Sequence, residues 1–383
     1  MTSPAIRSAV FLVLAIGLLF ASSGRIAETV SNLPPHDFVE YWAAGHLQAT
    51  GGNPYDPERL YELQRDHIGW DPVGQAIMMW NPPWTLSFVT PLGLLPWRTA
   101  MMVWLVARLA MLIVSAWLLA QVYSRQPWFS WAIILTWLPC LIALQFGQIP
   151  PLMLLGGSLF LWLMKRDRPF LAGMACVLLA VKPHLFAFLW LGIARHAIVR
   201  GEWRIIAGGI LGGLLASIGP LLQNPAVFHQ YLEATRTVPP VQWVSPTIGA
   251  WLRVMGGTTA FWPQWIPLGA GLVWFAIDSL RHRAGSIARD FPKLLVASLL
   301  CAPYGCWPYD LAMLAIPWIA VANRRVRKVD IVLYAAISLG IVAMTMTEVE
   351  AAWFVWVVPG SLVAMTVSQR LGKADCNASA STF

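Results

Sequence analysis

Charge is what this chain has least of. Only 11% of its 383 residues are Asp, Glu, Lys or Arg, against 58% hydrophobic. That balance excludes an ordinary soluble domain and points to a multi-span membrane protein. Cysteine is sparse too. Cys140, Cys176, Cys301, Cys306 and Cys376 form no CxxC pair and sit mostly in apolar runs. They read as small buried hydrophobes, with neither a disulfide framework nor a zinc site. No basic stripe with interleaved aromatics is present, so nucleic acid is not an expected partner. The net charge of +8 reads instead as a bias of cytoplasmic loops. Internal repeats, low-complexity tracts and a soluble domain are all missing.

What is present is a succession of apolar runs. A membrane helix needs about 20 such residues. Candidates fall near 8–24, 98–121, 128–146, 149–164, 204–222, 263–281, 290–304, 308–323, 329–347 and 351–368. Residues 8–20 resemble a signal-peptide core, but "ASSGR" is a poor cleavage site and many spans follow, so a retained first helix is expected. A shorter helix near 84–95 is expected at the interface. The expected fold is an all-α polytopic bundle of about 10–12 transmembrane helices, judged by span length, with a broken or re-entrant pair. Residues 1–371 form one membrane domain, and 372–383 a disordered cytoplasmic tail. The Asn377-Ala-Ser sequon in that tail is read as incidental.

Basic residues orient the bundle. With the N-terminus cytoplasmic, eighteen of the 26 Lys and Arg residues fall on the cytoplasmic side and six outside, while Arg108 and Lys182 remain within membrane segments. The positive-inside rule favours this topology over its inverse. Two long loops, 25–97 and 223–262, then lie outside. Residues 171–198 have basic clusters at both ends but are too short to cross twice, at about 1.5 Å per residue. A re-entrant or broken pair with its tip at Lys182-Pro183-His184 solves this, because proline ends the hydrogen-bond ladder. Non-helical backbone at depth requires protein or a wet cavity around it, so Lys182 is expected to face a cavity open to the outside.

The first outer loop begins "PPHDFVEYWAAGHLQATGGNPYDP". Pro34-Pro35 opens a helix and Gly51-Gly52 ends it. Asp37, Glu40, Tyr41, Ala44 and Gln48 recur at helical spacing, so one face carries two carboxylates and a phenol. An acidic face at an outer mouth suits a base acting on a hydroxyl, with Asp37 first choice and Glu40 second. Plain helix capping is the competing account of Asp37. Tyr41, Tyr55 and Asp56 are further substrate-binding candidates. Gln145 and Gln148 flank an outer hairpin tip, which a simple glycine turn also explains. Lys182 and His184 at the break are candidates for donor phosphate, with snorkelling or a structural pair as the alternative for Lys182. Arg108 sits mid-span, where phosphate binding and a structural pair weigh equally. Trp307, Tyr309 and Asp310 lie at another outer helix start, where Asp310 has a capping alternative. The 22 Trp residues are mostly an interfacial belt. Acids that activate an acceptor, with cations deeper in that hold a phosphate, match displacement at the anomeric carbon of a lipid-phosphate sugar.

Five segments carry a family resemblance in order: "HDFVEYWAAGHLQATGGNPYDP", "MMWNPPWTLSFVTPLGLLPW", "LQFGQIPPLMLLGGSLFLWLMKRDRPFLAGMACVLLAVKPHL", "VSPTIGAWLRVMGG" and "APYGCWPYDLAMLAIP". Together they resemble glycosyltransferase family 87, the polyprenol-phosphate-sugar-dependent transferases of GT-C fold, over about residues 10–325. The resemblance implies an inverting membrane hexosyltransferase of the cell (inner) membrane. Its donor would be a polyprenyl-phosphate sugar, often mannose, its acceptor a lipid or glycan, and its working face extracytoplasmic. It assigns the base in the first outer loop to Asp37, the "GQ" turn to Gly147-Gln148 and the "KP" break to Lys182-Pro183. It implies no metal cofactor. The sequence departs from the family pattern after "GQ", where Ile149-Pro150-Pro151 replaces an asparagine, and late in the chain, where Trp307-Pro308-Tyr309-Asp310 stands for a histidine pair. A transporter or flippase of lipid-linked sugars is the main alternative, with a non-catalytic assembly subunit and a glycan ligase behind it. The scarcity of midplane acids and repeats counts against transport.

Overall fold

A computed structural model describes residues 36–69, 74–123, 127–237, 243–257, 259–282, 285–321 and 326–380. The expected first span, 8–24, lies outside the described residues, as do Pro34 and Pro35. Among the described residues the chain is helical, with no strand. In order, α1 is Phe38–Ala49, α2 Pro57–Ile68, α3 Leu86–Gly93, α4 Trp97–Tyr123, α5 Pro127–Thr136, α6 Leu138–Gln145, α7 Pro150–Lys165, α8 Pro169–Ala175 and α9 Ala187–Arg200. There follow α10 Arg204–Gln223, α11 Val227–Thr237, α12 Ile248–Met255, α13 Ile266–Arg281, α14 Ile287–Leu300, α15 Ala315–Val321, α16 Lys328–Met346 and α17 Val357–Ala380.

Four helical stretches are long and apolar enough to cross a membrane: α4, α10, α16 and Ala351–Leu371. A fifth is formed by α5 and α6, bent by 49° at Trp137. Pro139, one residue into α6, has no N–H to continue the ladder from α5. The runs expected at 149–164, 263–281, 290–304 and 308–323 form shorter helices, α7, α13, α14 and the turn Asp310–Leu314 leading into α15. Lipid-facing helices keep their apolar side chains exposed; Leu339 of α16 is 66% exposed. The core lies between helices, where Trp137, Trp318, Phe38, Phe160, Phe188 and Phe291 are fully buried.

Two features of the fold bear on the site. First, α1 and α3 cross backbone to backbone. A Cβ on Gly93 would lie 2.1 Å from the His46 nitrogen, and one on Gly45 2.5 Å from the Val89 oxygen. Only glycine permits that approach, and it ties α1 to the bundle. Second, the segment 171–198 is broken as expected. After α8 and a 3-10 turn, Cys176–Leu178, the backbone leaves helical form, resumes as a 3-10 turn at Pro183–Phe186 and enters α9.

Candidate active site

The break exposes carbonyls that no helix satisfies, and side chains from elsewhere in the chain meet them. Trp84 Nε1 donates to the Ala180 oxygen at 2.9 Å, Asn81 Nδ2 to Val181 at 2.8 Å and Trp190 Nε1 to Pro183 at 2.9 Å. The Ser298 hydroxyl accepts from the Phe188 and Leu189 amides at the start of α9. Orphan groups at depth are thus satisfied by protein, as a broken segment requires. Asn81, Trp84 and Ser298 were not singled out from the sequence. An Asn and a Trp beside the prolines of "WNPPW" were the only signal.

Held this way, Lys182 points its ammonium at Asp310, with 2.8 Å between Nζ and Oδ1. The lysine side chain is 13% exposed and the aspartate fully buried. The other oxygen of Asp310 accepts from the Trp307 amide at 3.0 Å, so Asp310 both turns its own loop and pairs the lysine. Nζ lies 4.8 Å from the centre of the Tyr309 ring, a cation–π position. An ammonium has three N–H donors, and the carboxylate contact uses one of them.

The acids meet at the turn between α6 and α7. Gly147 has φ +75°, and a Cβ there would stand 2.6 Å from Cβ of Phe38. Glycine is needed both for the left-handed backbone and for this approach to α1. Trp104 Nε1 fastens the turn by donating to the Gly147 oxygen at 2.7 Å. Gln148, 3% exposed, is thereby pressed against the start of α1. Its amide nitrogen donates to Asp37 Oδ2 at 3.0 Å and to Glu40 Oε1 at 3.2 Å, while Tyr41 donates to its oxygen at 2.8 Å. Carboxylate oxygens only accept, so the acids turn the amide nitrogen toward themselves and leave its oxygen to Tyr41. Asp37 occupies the N-cap position of α1, yet its side chain caps no backbone N–H. The carboxylate is directed at the cluster instead.

Electrostatics divides the two acids. Burial pushes Asp37 above the ordinary carboxylate value, and the Gln148 hydrogen bond, Lys182 and His36 pull it back. Burial and then the charge of Asp37 push Glu40 up to about 8, against opposing pulls from Tyr41, Lys182 and Gln148. Glu40 is thus the member that burial and its neighbour's charge push furthest toward the neutral form, while three groups favour the charged form of Asp37. Lys182 acts on both acids, so Asp37, Glu40, Lys182 and Asp310 form one electrostatic unit across three distant stretches of chain. Two adjoining carboxyl groups with an ammonium nearby can together accept a proton, whenever one is ionised, and stabilise a departing anion.

Other candidates fall elsewhere. Arg108, 2% exposed, donates to the carbonyls of Ala143 and Leu144 at 2.7 and 2.9 Å and to Trp104 at 3.3 Å. His184 stacks on Tyr304, ring centres 4.5 Å apart, against Gly305. Tyr55 donates to the Asn81 carbonyl, and Asp56 caps α2 by accepting from the Glu58 and Arg59 amides. Gln145 is exposed at the end of α6, and Trp307 packs 6.2 Å from Trp243.

The model of glycosyltransferase family 87 matches residues 80–347. Gln148, Lys182 and Asp310 lie within the matched region, whereas Asp37 and Glu40 precede it. No curated protein and no solved structure matches the chain.

Proposed function

Because the chain belongs to glycosyltransferase family 87, and so is a membrane glycosyltransferase, we propose that it transfers a hexose from a polyprenyl-phosphate donor to a hydroxyl of a lipid or glycan acceptor on the extracytoplasmic face, with Asp37 as general base. The acceptor hydroxyl gives its proton to Asp37 and its oxygen bonds to the anomeric carbon. The bond from that carbon to the phosphate oxygen breaks, and the electron pair leaves with the polyprenyl phosphate. A single displacement inverts the anomeric centre. Lys182 stabilises the charge growing on the leaving phosphate, and Asp310 and Tyr309 hold the ammonium in place. Glu40, neutral, keeps a second negative charge away from the nucleophile. Mannose is a candidate sugar, from the family resemblance alone.

One observation carries this reading. The Asp37 carboxylate stands at a helix start without capping it, clamped by Gln148 and within the field of Lys182. The test is transfer in proteoliposomes holding a polyprenyl-phosphate hexose and a glycolipid extract of a deletion strain as acceptor. Wild type is expected to transfer and invert, and Asp37→Asn to fail while retaining its melting temperature. Full turnover by Asp37→Asn would remove the proposed base.

A further inference from the structure

A large cavity, about 1740 Å³, lies away from the acid–lysine site. It is bounded by α13, α14, α15 and α17 and exceeds the range of drug-sized pockets, about 300–1,000 Å³. On α14 its wall is formed by Arg289, Lys293, Val296, Ala297, Leu300 and Cys301, a single face at helical spacing. From Arg289 to Leu300 that face extends about 17 Å, at 1.5 Å per residue. Its upper part, with Gly271, Leu300 and Cys301, is apolar.

The other end is basic. Four cations line it, Lys165, Arg289, Lys293 and Arg327, against one acid, Asp330. Lys293 is held by Asp278 at 2.8 Å and Arg327 by Asp330 at 3.1 Å. Lys165 donates only to the carbonyls of Gln121 and Val122. Arg289 is exposed, and its side chain has no hydrogen bond or ion pair among the described residues. Among the described residues, neither Lys165 nor Arg289 at the mouth is therefore paired with a carboxylate.

Chain direction puts this mouth at the far end of the bundle from the proposed catalytic groups. α7 starts beside Gln148 and reaches Lys165 after sixteen residues, about 24 Å. α15 leads away from Asp310 toward Arg327 in the same way. A donor lipid whose phosphate meets Lys182 cannot place that same phosphate at Arg289.

We propose that this groove is a binding site for an anionic phospholipid of the leaflet opposite the acid–lysine site, its phosphate at Lys165 and Arg289 and an acyl chain along the α14 face. The charge at the mouth selects the anionic headgroup, and the apolar wall above it takes the chain. The proposal stands apart from the catalytic reading, because no residue is shared.

Full-length protein is purified in mild detergent and its bound lipid is extracted and quantified per protein. Vesicles of phosphatidylcholine, with and without phosphatidylglycerol, are the source for reloading. Wild type is expected to retain the anionic phospholipid selectively. Lys165→Gln and Arg289→Gln are each expected to lower retention about fivefold, and together about 25-fold, as about one electrostatic contact apiece requires. Ala297→Trp, which fills the groove, is expected to lower it without altering charge. Both basic side chains are exposed, so the Gln variants keep the test valid even if the Trp variant does not fold. Equal retention by the double variant overturns the proposal, as does no anionic preference in wild type. Displacement of polyprenyl phosphate, in place of phospholipid, by Ala297→Trp overturns it too and assigns the groove to the donor chain.

Discussion

Arg108 and Lys182 are both cations buried within membrane segments, and the structure treats them differently. Arg108 spreads its guanidinium over three carbonyls, two of them at the end of α6. Those carbonyls lie at the negative end of a helix, where each also accepts one backbone N–H, from Gln148 and Gly147, and a planar fork is suited to bridging them. Lys182 meets a carboxylate and an aromatic face, and its charge reaches two further acids. The first cation caps the end of α6, at the turn into α7. The second is the centre of a charge cluster at a break in the chain. A costly buried charge thus announces that something must compensate it; the compensating partner decides whether the residue supports the fold or the chemistry.

The largest effect expected concerns the acid that Lys182 faces. Asp37→Asn should lower transfer about 10²–10⁴-fold, the range of a general base, with little change in melting temperature. Steady-state kinetics in proteoliposomes measure this directly. Next comes the ion pair itself. Lys182→Met leaves Asp310 buried without its cation and should cost about 3–5 kcal/mol of stability as well as activity. The double variant Lys182→Met with Asp310→Leu should recover much of the stability in thermal denaturation but none of the transfer. Recovery of transfer would make the pair merely structural and erase its contrast with Arg108.

Arg108→Met should be milder and of another kind. The two α6 carbonyls keep a backbone N–H each, so losing the guanidinium should cost about 1–3 kcal/mol in all, and the protein should melt lower while kcat per folded molecule stays near wild type. A selective rise in donor KM would move Arg108 to the Lys182 side of the comparison. The smallest effect is a pH dependence. The folded-state pKa of Glu40 is raised to about 8 from an ordinary value of 4.5. The folded state therefore holds a proton that the unfolded chain releases, and stability should fall as pH rises from about 4.5 to about 8. Glu40→Gln should flatten that slope in denaturation curves measured across the range.

Some of this was legible in the linear chain. The break at Lys182-Pro183 followed from proline chemistry, and the acidic face of α1 from helical spacing between Pro34-Pro35 and Gly51-Gly52. The spans over 98–121, 204–222, 329–347 and 351–368 were readable from apolar length. Partners were not. Asp310 lies 128 positions from Lys182 and Gln148 lies 111 from Asp37, and no local periodicity links residues so far apart. Asp37 and Asp56 each stand at the N-cap of a helix in the structure. Asp56 does cap its helix, whereas Asp37 turns to Gln148. The roles of Asn81 and Trp84 were hidden because they answer carbonyls created by a break a hundred residues later.

By itself the sequence determined that this is a helical membrane protein with a broken segment and an acidic first helix. Apolar length, proline and side-chain spacing act over one or two turns and need no knowledge of neighbours. Only the tertiary structure decided which buried charges meet. Coulombic compensation in a low-dielectric interior depends on distances of a few ångströms between residues that the chain keeps far apart, and packing alone sets those distances.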